Sequence, residues 1–316
     1  MRFLAKETYA QKSNVKLSVK DRKLIQLLIQ NGRATVSELA KNVGVSKPAI
    51  IQKMNSLAKK NVLFNPHVLS NVNLPMNKDF YIYHIKTQLG MNKENVNKKL
   101  LSIDPLDAVL WYNGNFDLIL ASSGKDPQDV VEDIENIIPI KRLRIQKVTG
   151  NWMRAPYLFK EVKDKATRFE RLSPPVSELD EKIILSLEKN PRSSLVEIAH
   201  EIGSSAITAK KRLKGLIENG AILGFDYNVN WWAVNRDAVS ISFIVKGRAN
   251  TDNVIKNLLK VPQVRNVWEF AHEWNVNAVF MIRDQAEVNG ILESVGNKCS
   301  GILDSEIMVL TGIAGK

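Results

Sequence analysis

Two short segments of the sequence carry cationic and amide side chains on the outward side of a predicted helix. The residues singled out are Ser46, Lys47, Gln52, Lys53 and Asn55 in the first segment and Ser205, Thr208, Lys210, Lys211, Arg212 and Lys214 in the second. Lys and Arg neutralise phosphate groups, and Arg, Lys, Gln and Asn also form hydrogen bonds with base edges. Both segments therefore indicate contact with double-stranded DNA, although a charged helix face taken alone is often only solvated.

These two segments belong to a long internal repeat. Residues 18–66 align with residues 177–225 at a constant offset of 159 and without a gap. That offset is far above the period of solenoid repeats, which is roughly 20–50 residues. The chain is therefore interpreted as carrying a duplicated domain, and each copy brings its own candidate DNA-contacting helix.

Each copy of the repeat predicts three short helices with a tight turn before the third. Thr35 stands three residues before Glu38, the spacing of a capping box in which a hydroxyl and a carboxylate satisfy free backbone N–H groups. Ala40 and Gly44 supply a small residue where two helices cross and a residue that accepts positive φ at the turn. All four have counterparts in the second copy, so each copy reads as a helix-turn-helix whose third helix enters a major groove.

A β-hairpin wing is predicted to follow each third helix. Asn219-Gly220 is a strong turn dipeptide, and an apolar run follows it. In the first copy Pro66 is expected to end the corresponding strand. Each repeated unit is therefore predicted to be a winged helix-turn-helix.

The charge distribution supports a polyanionic partner. The chain has a net charge of +12 over 316 residues, and residues 1–79 hold 14 Lys or Arg against 4 Asp or Glu. Residues 176–236 are balanced at 8 against 8. A localised basic surface is typical of nucleic-acid binding. The single Cys299 excludes an intramolecular disulfide, and with no apolar run of membrane-spanning length it predicts a cytoplasmic protein.

The second part of each repeat alternates between strand and helix signals. In both halves the order is strand, helix, strand, strand, helix, strand, with the last strands near 142–148 and 303–310. This order predicts a ferredoxin-like βαββαβ sandwich, so the fold class is α+β. The predicted organisation is a basic leader (1–16), a first winged helix-turn-helix (17–75), a first ferredoxin-like α/β domain (76–150), a charged linker (151–175), a second winged helix-turn-helix (176–232) and a second ferredoxin-like α/β domain (233–316).

This combination resembles the Lrp/AsnC (feast/famine) transcriptional regulators, in a tandemly duplicated and archaeal form. The resemblance is carried by Leu179-Asp180, Ile198-Ala199, Gly203-Ser204-Ser205, Arg212-Leu213, Leu216, the run 219–225, and Gly114-Asn115-Phe116-Asp117. It implies a DNA reader joined to a dimerising, effector-sensing (RAM-type) domain. It also implies effector-binding roles for Gly114 and Asp117, whereas His272-Glu273-Trp274-Asn275 stands at the matching position of the second half.

Three functions remain open from the sequence. The first is a sequence-specific DNA-binding regulator in which one chain acts as a covalent pseudo-dimer; a homodimer of chains is the other assembly considered. The second is an adaptor that recruits transcription proteins. The third is an enzyme, because some proteins of this architecture decarboxylate siroheme; such an enzyme would need His and Arg to hold tetrapyrrole carboxylates. His67, His84, His200 and His272 form no repeated constellation, so the prediction is a non-enzyme without catalytic or metal-binding residues, without a cofactor and with an unidentified small-molecule effector.

Overall fold

A computed structural model describes residues 8–9, 15–71, 79–88, 90–106, 108–156, 158–159, 167–168 and 176–315. Most of the predicted basic leader lies outside these ranges. So do Lys160, Lys163, Lys165, Arg171 and Pro174-Pro175 of the predicted linker. No helix of the described ranges is long and apolar enough to cross a membrane.

The chain alternates between helix-turn-helix units and α/β domains. The helix-turn-helix units predicted at 17–75 and 176–232 are called the first and the second reader. The first half contains β1 (Thr8–Tyr9), α1 (Val19–Gln30), α2 (Val36–Val43), α3 (Lys47–Lys59), β2 (Leu63–Ser70), β3 (Phe80–Lys86), α4 (Lys93–Leu100), β4 (Ala108–Asn113), β5 (Leu118–Ser123), α5 (Pro127–Glu135), β6 (Arg142–Arg154) and β7 (Thr167–Arg168). The second half contains α6 (Glu178–Lys189), α7 (Leu195–Glu201), α8 (Ala206–Glu218), β8 (Ile222–Val229), a 3₁₀ turn (Trp232–Val234), β9 (Asp237–Val245), α9 (Arg248–Leu258), β10 (Val264–Phe270), β11 (Val276–Ile282), α10 (Gln285–Lys298) and β12 (Ile302–Gly315).

The helix starts are those that the sequence predicts. Thr35 and Glu38 form a complete capping box at α2, and the equivalent box forms at α7. Gly44 and Gly203 adopt φ of 76° and 64° at the turns that precede α3 and α8, where a side chain would be strained. The two helix-turn-helix units are thereby confirmed as local structures set by caps and turns.

The α/β parts of the two halves close into one barrel. Within the described ranges, eight antiparallel strands follow the order β12-β4-β5-β3-β6-β10-β11-β9, and β9 pairs again with β12. Val239, Ile241 and Phe243 form the face of β9 that packs with α9 and α10, as their alternation predicts. Ser240 lines the space inside the barrel instead. The ferredoxin-like order is confirmed, and the two sheets share one interior.

The closing strands extend further than the sequence predicts. The expected strands end at 148 and 310, but β6 runs to Arg154 and β12 to Gly315. The extra residues pair with the other half, where Met153 is opposite Asn266 and Ala314 is opposite Val109. The partner strands are far away in the sequence, so local periodicity does not reveal the extension.

The predicted wing hairpin is wrong. β2 and β8 do not fold back within their own units, but pair with each other antiparallel. Gly220 has a φ of 75° and lies directly after the C-cap of α8, so Asn219-Gly220 ends a helix instead of turning a hairpin. Pro66 does not end the strand but lies inside β2 beside a register shift, and irregular positions of this kind tolerate proline.

The start of the predicted charged linker is buried structure. Residues 151–154 belong to β6, and Ala155 and Leu158 are buried against the first reader. The buried Gln26 side chain of α1 donates to Pro156 O (2.9 Å) and accepts from Leu158 N (3.0 Å). The residues directly after β6 therefore attach the first α/β domain to the first reader.

Replacing Gln26 with alanine should destabilise this junction strongly. The substitution leaves the Pro156 carbonyl and the Leu158 N–H buried without partners, which costs roughly 2–4 kcal/mol of unfolding free energy. Chemical denaturation measures the effect, and Gln52→Ala, on the exposed side of α3, is the matched control. Equal stability of the two variants would contradict the assigned role of Gln26.

Candidate nucleic-acid interface

The third helix of each unit presents an exposed polar side. On α3 the exposed residues include Lys47, Gln52 and Asn55, while Ile50 and Leu57 are buried in the reader core. On α8, Lys210, Lys211 and Lys214 are exposed, while Ala209 and Leu213 are buried. Lys214 also forms an exposed 3.5 Å ion pair with Glu218 of the same helix. These side chains are in position to meet phosphates and base edges.

Lys53 and Arg212 were predicted to face outward; both are partly exposed and paired with a carboxylate of their own unit, and their contact with DNA stays a prediction. Lys53 Nζ lies 2.7 Å from Asp21 Oδ1, and Arg212 Nη1 lies 3.1 Å from Asp180 Oδ1. Burial acts to raise the pKa of Asp21, but hydrogen bonds from Lys53 and Ser18 outweigh it and hold that pKa below its usual value. Each cation thus ties the third helix to the first helix of its own unit.

The capping residues fix where each third helix begins. Ser46 Oγ accepts a hydrogen bond from Ala49 N (3.4 Å), and Ser205 Oγ accepts one from Thr208 N (3.1 Å). Thr208 Oγ1 lies 3.0 Å from Ser205 Oγ, so its hydroxyl shares the cap. Both helix starts are consequently well defined, and free N–H groups at such starts favour phosphate oxygens.

Two exposed isoleucines, one on α8 and one on α3, were not predicted as DNA contacts. Ile207 is 82 % exposed in the first turn of α8, and Ile51 is 51 % exposed on α3. A large apolar side chain beside cationic groups on such a helix fits contact with the methyl group of thymine. In the sequence, each is an isoleucine at a helix position outside the apolar pattern that forms the core of its reader.

The two readers are clamped together by a reciprocal arginine exchange. Arg33 of the first unit donates to Pro191 O and Ser193 O, both at 2.8 Å, and Arg192 of the second unit donates to Ala34 O at 2.6 Å. The Arg33 guanidinium also lies 5.0 Å from the centroid of the Phe225 ring. Together with the β2–β8 pairing, these contacts hold the two third helices in one fixed relation. The sequence repeat contained both arginines but gave them no role.

The predicted effector residues are engaged in structural contacts. Asp117 accepts from Lys86 Nζ (2.7 Å) and from Thr87 N (2.9 Å). A Cβ on Gly114 would lie 2.9 Å from Ile307 O, so the glycine permits close approach of β12. Asn275 has the corresponding role in the second half and exchanges two hydrogen bonds with the Val245 backbone. Effector binding at Gly114 and Asp117 stays a prediction.

A cavity of about 460 Å³ inside the barrel brings distant histidines together. His67 of β2, His84 of β3 and Arg265 of β10 all line it, a convergence that the sequence did not reveal. Arg265 is paired with Asp226 at 2.6 Å. Burial, and then the charge of Arg144, lower the pKa of His84 to about 3, so this imidazole is neutral near pH 7.

Comparison with known proteins gives the class of the readers. Residues 17–57 match the AsnC-type helix-turn-helix domain, and residues 176–222 match a winged helix-turn-helix DNA-binding domain. The HTH-type transcriptional regulator FL11 of Pyrococcus furiosus is 26 % identical over 43 % of this chain and 89 % of its own length. The regulator LrpA of Pyrococcus horikoshii is 26 % identical over 40 % of this chain and 90 % of its own length. These relatives are archaeal, and each aligns with less than half of the chain.

A solved structure shares the whole double architecture. The siroheme decarboxylase NirDL has a TM-score of 0.54 and 15 % identity, and the match covers 92 % of this chain and 91 % of that one. At this identity the likeness shows a common fold. The helix-turn-helix units and the barrel thus define a tandem helix-turn-helix protein with paired ferredoxin-like domains. The chain is similar to the Lrp/AsnC regulators in its helix-turn-helix units and in its archaeal relatives.

Proposed function

We propose that this protein is a sequence-specific regulator of transcription that binds double-stranded DNA, with one chain acting as a covalent pseudo-dimer. The observation that carries the proposal is the pair of exposed polar third helices on two readers clamped by Arg33 and Arg192. The barrel strands of the two halves pair within the chain in the way that two subunits would. Such a protein acts in the compartment that holds the chromosome, the cytoplasm of a prokaryotic cell.

The two readers are unequal, so the DNA site should be an imperfect inverted repeat. α8 presents three exposed lysines, whereas α3 presents Lys47 with the amides Gln52 and Asn55. Lysines bind phosphates strongly, while amides favour adenine edges. Half-sites of paired helix-turn-helix readers are typically about 34–36 Å apart, which is one turn of DNA.

Genome-wide capture of DNA fragments by the purified chain tests the function directly. The expected result is a bipartite motif with two different half-sites. Footprinting with the exposed residues of α3 or α8 neutralised separately should erase one half of the protected region each time. Protection by one reader only would favour the adaptor function, in which the other half binds a transcription protein.

Replacing Arg33 and Arg192 together with alanine should loosen the contact between the two readers. The double variant loses all three carbonyl contacts and the stacking on Phe225, so the two third helices are held less firmly at one distance. Affinity for a duplex with both half-sites should fall by about tenfold or more, because rigid linkage is what makes the second contact favourable. Affinity for a single half-site should stay unchanged, and Arg283→Ala serves as the control. An equal fall for both duplexes would count against the pseudo-dimer.

A decarboxylase function is the second candidate, favoured by the shared fold of NirDL and by the meeting of His67, His84 and Arg265. A polycarboxylate needs several free cations, but Arg265 is neutralised by Asp226 and His84 is neutral. Glu181 and Glu188 also line the cavity and repel anions. Addition of siroheme should therefore leave its absorption spectrum unshifted, and a saturable shift with product formation would establish the enzyme instead.

A further inference from the structure

The cavity inside the barrel has the size and walls of a small-molecule site. Its volume of about 460 Å³ lies within the usual range for ligand pockets, roughly 300–1,000 Å³. Phe80 and Trp268 form part of the wall as parallel rings with centroids 6.3 Å apart and an interplanar angle of 6°. Tyr112, Met281 and Leu310 continue this apolar surface. A flat, largely apolar ligand is the shape that these walls accept.

The charged groups that line the cavity disfavour an anionic ligand. Arg265 is buried and paired with Asp226, so the guanidinium is not available to a ligand. At the end of the cavity formed by α6, Glu181 and Glu188 flank Leu185, which is 49 % exposed. An anionic ligand would lose its hydration without gaining a free counter-charge, which is strongly unfavourable. The ligand should carry no negative charge.

One polar group in the wall is ready to recognise an acceptor atom. Trp232 is buried, lines the cavity, and its Nε1–H has no acceptor within the described residues. Buried indole N–H groups normally find a partner. A carbonyl oxygen on the ligand would satisfy this donor.

The cavity wall continues into the contact between the readers. Residues 227–232 all line the cavity, and Tyr227 to Val229 belong to β8, which pairs with β2 of the other reader. Phe225 O, on the same strand, accepts from Gly32 N at 3.0 Å. A molecule bound in the cavity therefore touches the strand that sets how the two readers lie against each other.

We infer that the cavity binds a planar aromatic molecule that carries no negative charge and bears a carbonyl-type acceptor, and that this molecule is the effector of DNA binding. The effector role rests on the proposed function, while the site itself does not. Binding would shift the balance of reader arrangements, since a ligand acts on any equilibrium to the extent that it prefers one state.

Acridone, an uncharged planar heteroaromatic with one carbonyl, is the probe, and its fluorescence reports binding to the full chain. Saturable 1:1 binding is expected, weakened about fivefold by Trp232→Phe, which removes one hydrogen bond of ordinary strength. Trp274→Phe, outside the cavity, should leave affinity unchanged, and the anionic acridone-N-acetate should bind more weakly. Ala121→Leu, which fills part of the cavity, provides a second variant, and circular dichroism checks that both variants fold.

The possible results test the ligand site, the effector role and the proposed DNA-binding function separately. No saturable binding, or binding that neither variant weakens, would overturn the ligand site. Unaltered DNA affinity in the acridone-saturated protein would overturn the effector role. A ligand-free chain that captures no DNA would instead overturn the proposed function and leave the acridone result standing.

Discussion

The variant Lys210→Ala/Lys211→Ala is expected to lose about two units from the slope of log Kobs against log salt concentration, because each phosphate contact contributes roughly 0.9. Both lysines are exposed on α8, and neither forms an ion pair within the described residues. Binding at low salt should weaken most, since the released counterions supply that part of the free energy. Filter binding or fluorescence anisotropy over a salt series measures the slope.

The control for this variant is Lys256→Ala, a lysine equally exposed but located on α9 of the second α/β domain. Its salt slope should equal that of the parent chain. A second comparison is Arg212→Ala, whose guanidinium is paired with Asp180. That change should alter stability more than the salt slope. An unchanged slope in the double lysine variant would remove α8 from the DNA interface.

The second large effect is expected at the buried ion pair between the second reader and the barrel. Asp226 of β8 and Arg265 of β10 have side chains only 1 % and 9 % exposed, and their closest atoms are 2.6 Å apart. Asp226→Ala leaves the guanidinium buried without its partner, which should cost roughly 3–5 kcal/mol of unfolding free energy. Chemical denaturation followed by tryptophan fluorescence measures the loss.

Replacing both partners distinguishes the contribution of the ion pair to stability from the cost of leaving one buried charge unpaired. Asp226→Leu combined with Arg265→Met should regain most of the lost stability, because no uncompensated charge remains. The exposed pair Lys98–Glu94, at 3.0 Å, is the control, and Glu94→Ala should cost about 0.5 kcal/mol or less. A double variant as unstable as Asp226→Ala would show that the ion pair itself, and not relief of a buried charge, holds the reader to the barrel.

Local sequence signals were sufficient to predict the helix starts and the tight turns of the two readers. Ser18 with Asp21 and Thr35 with Glu38 cap α1 and α2 as their spacing predicts, because a cap involves residues only three apart. Gly44 adopts the left-handed conformation that the tight turn requires. The alternating residues of β9 likewise divide between the helix-packed face and the barrel interior.

Where the structure differs from the prediction, the cause is a contact between residues that are far apart in the sequence. Asn219-Gly220 has the chemistry of a hairpin turn, but β8 gains a better partner in β2, which lies far away in the sequence. Lys53 and Arg212 occupy polar positions of their helices, yet a carboxylate on the first helix of the same unit captures each of them. Helical periodicity gives the direction of a side chain but not the charge that it will meet.

The sequence by itself determined the duplication, the two capped helix-turn-helix units, the order of elements in each α/β domain and the concentration of positive charge in the first quarter of the chain. Each depends on residues close together or on simple alternation. Only the tertiary structure decided that β6 and β12 cross to the other half, that Arg33 and Arg192 clamp the readers, and that His84, Trp232 and Arg265 line one cavity. Those features join residues more than a hundred positions apart, and their partners are chosen by packing and burial of the whole chain.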